Sequence, residues 1–302
     1  MAMPDIWFFI EVLVGGLLSG IMYSLVALGF VLIYKASSVF NFAQGAMVFF
    51  AVLTFVGVME LGLPFWAALP VAIGVMVLVG MATERFVLRP LVSQSEDTLL
   101  MATIGLSFVI EGVAQLAWGV DVRNLDLGIR DEPINWVMDK TGMLISQLDI
   151  TAGIVASVMV ASLALLFSRT KVGRGLRAVA DDHTAALSIG IPLKHIWMLV
   201  WATAGVVALV AGMLWGARSG VQFALVWVAL KALPVLIIGG FTSVPGVIVA
   251  GLLVGASEKV VEVYIGPKFG GGVEVWFPYV LAVLFLLVRP EGLFGEKIIR
   301  RV

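Results

Sequence analysis

Val12-Leu-Val-Gly-Gly-Leu-Leu-Ser-Gly-Ile-Met-Tyr-Ser-Leu-Val-Ala-Leu-Gly-Phe-Val-Leu-Ile-Tyr34 runs for 23 residues without an Asp, Glu, Lys, Arg or His. About 20 such residues, coiled as a helix, cross the hydrocarbon of a bilayer. The run does not alternate polar with apolar, as barrel strands do over segments of about 10 residues. The same signal returns at Leu61–Thr83, Ile196–Ala217 and Ala232–Ser257. The whole chain is 61% hydrophobic and 13% charged over 302 residues. A soluble domain carries roughly 25% charge, so this chain lacks the polar groups to cover itself against water, and lipid is its solvent. The pattern predicts an all-α polytopic membrane protein.

Nine apolar runs are candidate crossings, near 10–34, 42–60, 65–83, 98–119, 149–168, 195–217, 221–240, 245–264 and 275–289. The seventh contains Lys231 and Pro234. The ninth is short, but Trp276 and Arg289 stand where interfacial anchors belong. The expectation is therefore about 8–9 transmembrane helices, with eight requiring a re-entrant segment. Residue 35 and the loops 84–97, 169–194 and 289–302 together hold twelve of the nineteen basic residues. The largest opposite loop, 120–149, carries six acids against three bases. Lys and Arg favour the cytoplasmic side, which predicts an extracytoplasmic N-terminus and a cytoplasmic C-terminus. No linker or low-complexity tract interrupts the pattern, so residues 1–302 are expected to form one transmembrane domain. The first apolar run is too long for a cleaved signal peptide and reads as a retained span.

Several chemistries are excluded or left without support. The net charge of −1 gives no electrostatic case for nucleic acid. With no cysteine there is no disulfide, thiolate ligand or thiol nucleophile. No Gly-rich phosphate loop with its Lys-Ser/Thr is present, so ATP would have to be bound elsewhere. His183 and His195 are the two histidines, too few for a metal site unaided. No catalytic or metal site is expected.

Outward from the apolar runs, the one long basic segment is Arg169–Gly190. Leu176, Val179, Ala180, His183, Ala186 and Leu187 recur at three- and four-residue spacing and make one softer face. Gly190 and Pro192 follow as stop signals. This reads either as a short helix docking into a partner or as a basic loop that enforces topology. Asn41, Phe42, Ala43, Gln44 and Gly45 form a polar entry to the second run, where Asn41 suits a helix cap. Gly239, Gly240, Thr242, Ser243, Pro245 and Gly246 interrupt the apolar pattern near the eighth. Unwound backbone at membrane depth is either packed in protein or lines a polar cavity. Most glycines in the spans suit close helix packing. Glu11, Glu60, Glu84, Glu258 and Glu262 fall near predicted ends, where snorkelling accounts for them. Glu111 and Lys231 lie deeper. Intramembrane charges of this kind either line a pathway or pair to hold helices together.

Four blocks in this order carry a resemblance to a known family: Ala27–Tyr34 with Val39-Phe-Asn-Phe-Ala-Gln-Gly45; Leu176–Ile191; Lys231-Ala with Gly239–Leu253; and Arg289-Pro-Glu-Gly-Leu-Phe-Gly295. The chain resembles the membrane permease subunits of ABC importers for branched-chain amino acids, a group that includes urea and amide importers. The resemblance implies a pore of two homologous permeases, two ATPase subunits holding ATP and Mg, and an extracytoplasmic substrate-binding protein, in a bacterial inner membrane. It implies no cofactor and no enzymatic activity in this chain. Thr184-Ala-Ala-x-x-x-Gly190 matches a coupling-helix motif usually written with Glu where Thr184 stands. By the resemblance Arg177, Asp181, Asp182, His183, Thr184, Ala185, Ala186 and Gly190 would dock the ATPase. The expected pathway residues are Asn41, Gln44, Gly45, Glu111, Lys231, Gly239, Gly240, Thr242 and Pro245. Gln44 and Ala46 replace a His and a Glu usual in the family, which points toward a less polar cargo. The competing class is an ion-coupled secondary transporter relaying charge through Glu111 and Lys231.

Overall fold

A computed structural model describes residues 6–91, 94–181, 186, 188, 190 and 193–295, with the side chains of Glu96 and Asp181 left aside. The expected docking residues Asp182, His183, Thr184 and Ala185 lie outside the described residues. Eleven named helices organise the rest. They are α1 (Ile6–Ser37), α2 (Gln44–Glu60), α3 (Phe65–Ala82), α4 (Glu96–Trp118), α5 (Asn135–Thr141), α6 (Gln147–Arg169), α7 (Lys171–Asp181), α8 (Leu193–Ser219), α9 (Leu233–Gly239), α10 (Val244–Tyr264) and α11 (Val273–Val288). Among the described residues no β-strand forms, and pairing is limited to the isolated bridges Arg123–Val221 and Pro133–Ser146.

Six helical segments among the described residues are long and apolar enough to span a membrane, and three apolar stretches are shorter. The short ones are α2, the stretch Phe223–Gly239 and α11. The expected seventh crossing is broken into a 3-10 turn at Phe223–Trp227, a helical turn at Val228–Lys231, and α9. Pro234 sits at the start of α9, where its missing N–H interrupts no established helical ladder.

The backbone falls into two compact units: residues 1–27, 126–160 and 231–302, and residues 28–125 and 161–230. In the second unit α2 is the core. Every residue from Gln44 to Val58 is buried, sheathed by α3, α4, α8 and the turn at Phe223–Trp227. A helix apolar on all faces is stable only when surrounded. Glycines set the contact distances. A Cβ at Gly80 would stand 2.6 Å from the Trp201 carbonyl oxygen, and one at Gly212 would stand 2.6 Å from that of Val48.

In the first unit the N-terminal part of α1 crosses α10 through Gly16, Gly20 and Ser24 against Gly251 and Gly255. A Cβ at Gly16 would meet the Gly255 carbonyl oxygen at 2.6 Å. Ser24 donates to the Val247 carbonyl at 3.0 Å. Small residues four apart let two backbones touch where lipid gives no hydrophobic drive. Glu262, at the end of α10, accepts from the Gly272 and Glu274 amides at 2.9 and 2.8 Å and so caps α11.

Candidate functional site

At the entry to α2, Asn41 Oδ1 accepts from the Ala43 amide at 3.1 Å and Nδ2 donates to Gln44 Oε1 at 3.3 Å. The formal cap residue is Ala43, so Asn41 shapes the preceding turn rather than capping the helix itself. Gln44 is fully buried. Its Nε2 has no hydrogen-bond partner in the structure and lies against the backbone of Gly29. Gly45 faces the Val226 carbonyl with no room for a side chain. Asn41, Gln44 and Gly45 thus form one polar cluster inside an apolar unit.

Lys231 Nζ lies 3.8 Å from Glu258 Oε1, and Tyr23 donates its hydroxyl to the same oxygen at 3.2 Å. Glu258 is 3% exposed. Its position near a predicted helix end suggested snorkelling, but the α1–α10 crossing encloses it instead. Glu111 accepts from Ser107 at 2.9 Å, one turn earlier on α4, so the carboxylate beside Lys231 is that of Glu258. Glu84 is the second carboxylate that position alone misjudged. A π-helical turn, Thr83–Leu88, follows α3 and turns Glu84 inward to 1% exposure. Arg89 grips it bidentately, Nη2 to Oε2 at 2.7 Å and Nε to Oε1 at 3.1 Å. The signal available in sequence was Glu84 five residues before Arg89.

The helix break at Gly239–Gly246 is packed. Gly240 takes φ +96°, which L side chains resist. Ser243 caps α10 by accepting from the Gly246 amide at 3.0 Å, with Pro245 in the first turn. The segment after α11 closes over it: the Leu293 amide donates to the Ile238 carbonyl at 2.7 Å, and Gly295 N would lie 3.0 Å from a Cβ at Gly240. Two sequence blocks far apart in the chain therefore meet here. Within the break Gly239, Gly240 and Gly246 are buried, Thr242 is half-buried and Pro245 is exposed.

α7 leaves α6 at a sharp elbow. Arg177 Nη1 donates to the Phe167 carbonyl at 2.6 Å, satisfying a C-terminal carbonyl of α6 with a cation that the helix dipole favours. Leu176 and Val179 are buried and so is Ala186, while Lys171, Arg174 and Arg177 are exposed. Leu176, Val179 and Ala186 of the softer face thus turn inward, and a basic face looks out. Gly190 takes φ +82°, consistent with a helix stop. Among the described residues no cluster of three or more His, Cys, Asp or Glu could hold a metal.

Long apolar helices packed through small residues and a basic amphipathic helix at an inter-helix elbow define a polytopic membrane protein. The model of the branched-chain amino acid transport system permease component family matches residues 12–289, and the chain belongs to that family. It is 29% identical, over 99% of its length and 100% of the relative's, to the high-affinity branched-chain amino acid transport system permease protein BraD of Pseudomonas aeruginosa. The corresponding LivH protein of Escherichia coli is 25% identical over 98% of each chain. A probable LivH of Methanocaldococcus jannaschii is 26% identical over 94% of this chain and 92% of its own. Among solved structures, PsaBC from Streptococcus pneumoniae in complex with Fab shares the fold with a TM-score of 0.51, 17% identity, and coverage of 94% and 95%.

Proposed function

We propose that this chain is the membrane-spanning permease subunit of an ATP-driven ABC importer. It forms half of a pathway for branched-chain or other hydrophobic amino acids, or a related small organic solute. The observation that carries the reading is the end-to-end family match, joined to a basic amphipathic helix held at the α6–α7 elbow. In this reading α7 and the residues through Gly190 are the coupling element. Arg177 fixes its angle on α6, and the outward Lys171 and Arg174 meet an acidic groove of an ATPase subunit. Asp181 and Ala186, with Asp182, His183, Thr184 and Ala185 outside the described residues, are docking residues in the same reading. ATP and Mg are held by that partner. ATP closure moves the elbow as a lever, and differential affinity for ATP and for the loaded binding protein drives the switch of access.

The pathway residues are Asn41, Gln44, Gly45, Glu111, Lys231, Gly239, Gly240, Thr242 and Pro245. The chain sits in a bacterial inner membrane with its N-terminus outside, in eight or nine crossings, beside a homologous permease. Gln44 keeps the entry to α2 uncharged, which favours a cargo of low polarity.

The test is uptake of labelled leucine into liposomes carrying both permeases and the two ATPases, with the binding protein supplied at the binding-protein face. Uptake should require ATP. Arg174→Glu should keep ATP hydrolysis and membrane insertion but lose at least about tenfold in uptake. Arg177→Glu should do the same by unseating α7. Uptake by the permeases alone under a pH gradient would replace this reading with an ion-coupled secondary transporter.

A further inference from the structure

At the end of α3 a cleft of about 520 Å³ opens toward the start of α8. Glu84, Arg85, Arg89, Lys194 and His195 line its polar part. Arg89 is committed to Glu84, but among the described residues no carboxylate pairs with Arg85, Lys194 or His195. Lys194 and His195 stand in the first turn of α8. There the helix dipole disfavours cations, and the free backbone N–H groups favour an anion. Three basic side chains with no carboxylate partner among the described residues therefore converge with a helix start, and the one carboxylate lining the cleft, Glu84, is already bound to Arg89.

The remaining wall is apolar, built from Leu78, Met81, Phe86 and Met198. Leu78 is 63% and Phe86 73% exposed, on a segment apolar enough to cross a membrane. A soluble acidic partner would leave this wall unmatched. A molecule with an anionic head and an apolar tail matches both halves. Basic clefts between transmembrane helices on the Lys/Arg-rich side suit anionic lipid headgroups, and this cleft lies on the side where the loops 84–97 and 169–194 concentrate basic residues.

We propose that this cleft binds an anionic phospholipid, its phosphate among Arg85, Lys194 and His195 and an acyl chain along Leu78 and Phe86. The π-helical turn after α3 is what aims Arg85 and Arg89 into one cleft, and the Glu84–Arg89 pair holds that turn rigid.

The test is native mass spectrometry of the full-length chain in detergent, offered palmitoyl-oleoyl phosphatidylglycerol or phosphatidylcholine at equal concentration. The wild-type chain should retain phosphatidylglycerol about tenfold more than phosphatidylcholine. The exposed triple substitution Arg85→Gln, Lys194→Gln, His195→Gln should abolish the preference. Removing basic side chains elsewhere, by Arg130→Gln, Lys140→Gln and Lys268→Gln, should leave it intact. Equal retention by the wild type overturns the proposal without reference to any variant. So does a preference that survives the cleft substitutions, or one lost equally in the control. Full displacement of the lipid by inorganic phosphate would make the cleft a site for free anions and overturn it too.

Discussion

Glu84 and Arg89 form a lopsided pair. The carboxylate is 1% exposed and the arginine 38%, so losing one partner is unlike losing the other. Arg89→Ala leaves a charge sealed from water and should cost about 3 kcal/mol. Glu84→Ala leaves an arginine that reaches solvent and should cost about 1 kcal/mol. Thermal unfolding of the two variants in one detergent checks the order, and an inverted order would mean the turn is held by other contacts. Gln44 poses the complementary case. Its unmatched Nε2 already bears a desolvation penalty, while Oε1 gains the Asn41 bond. Gln44→Met should therefore change stability by less than about 1 kcal/mol, a result the same measurement reads. Neither environment was legible in sequence. Distance from a predicted helix end is all that sequence offers for Glu84 or Glu258, and burial depends on which neighbour covers that end. The five-residue Glu84–Arg89 spacing becomes a contact only through the π-helical turn.

At the scale of elements, the charge-free runs were the readable part. Hydrocarbon tolerates no unpaired charge or open backbone, so length and apolarity alone located α1, α3, α4, α6, α8 and α10. The stretch 221–240 was less readable because Pro234 and Lys231 alter its local geometry without lowering its apolarity. The glycines of α1 and α10 were read as packing residues, but their pairing across 235 positions could not be inferred from either helix alone. That crossing makes a sharp prediction. Gly20→Val or Gly251→Val forces a side chain into backbone and should destabilise by about 2 kcal/mol or more. Gly105→Ala and Gly112→Ala, on α4 with open space around each, should be neutral or stabilising by about 0.5–1 kcal/mol. Loss of stability in the α4 variants would show that a covering surface is present there.

For the whole molecule, the absence of cysteine gives a clean route to orientation. A cysteine placed at Ser168, beside the α6–α7 elbow, should react with an impermeant maleimide only in inside-out vesicles. One placed at Thr141, in the 120–149 loop, should react only in intact cells. The reverse pattern would remove α7 from reach of any cytoplasmic ATPase. Charge distribution is what predicts this orientation, since Lys and Arg placement is a rule about the whole chain rather than any one contact. The closure of the Gly239–Gly246 break by residues 292–295 bears on how the protein is made. Those residues leave the ribosome only after all the apolar helices that precede them. The hairpin of α9 and α10 must therefore enter the bilayer unlatched and be sealed afterward, as a finishing step. A premature stop codon just beyond Val288 would yield a chain with every apolar helix inserted and that latch missing.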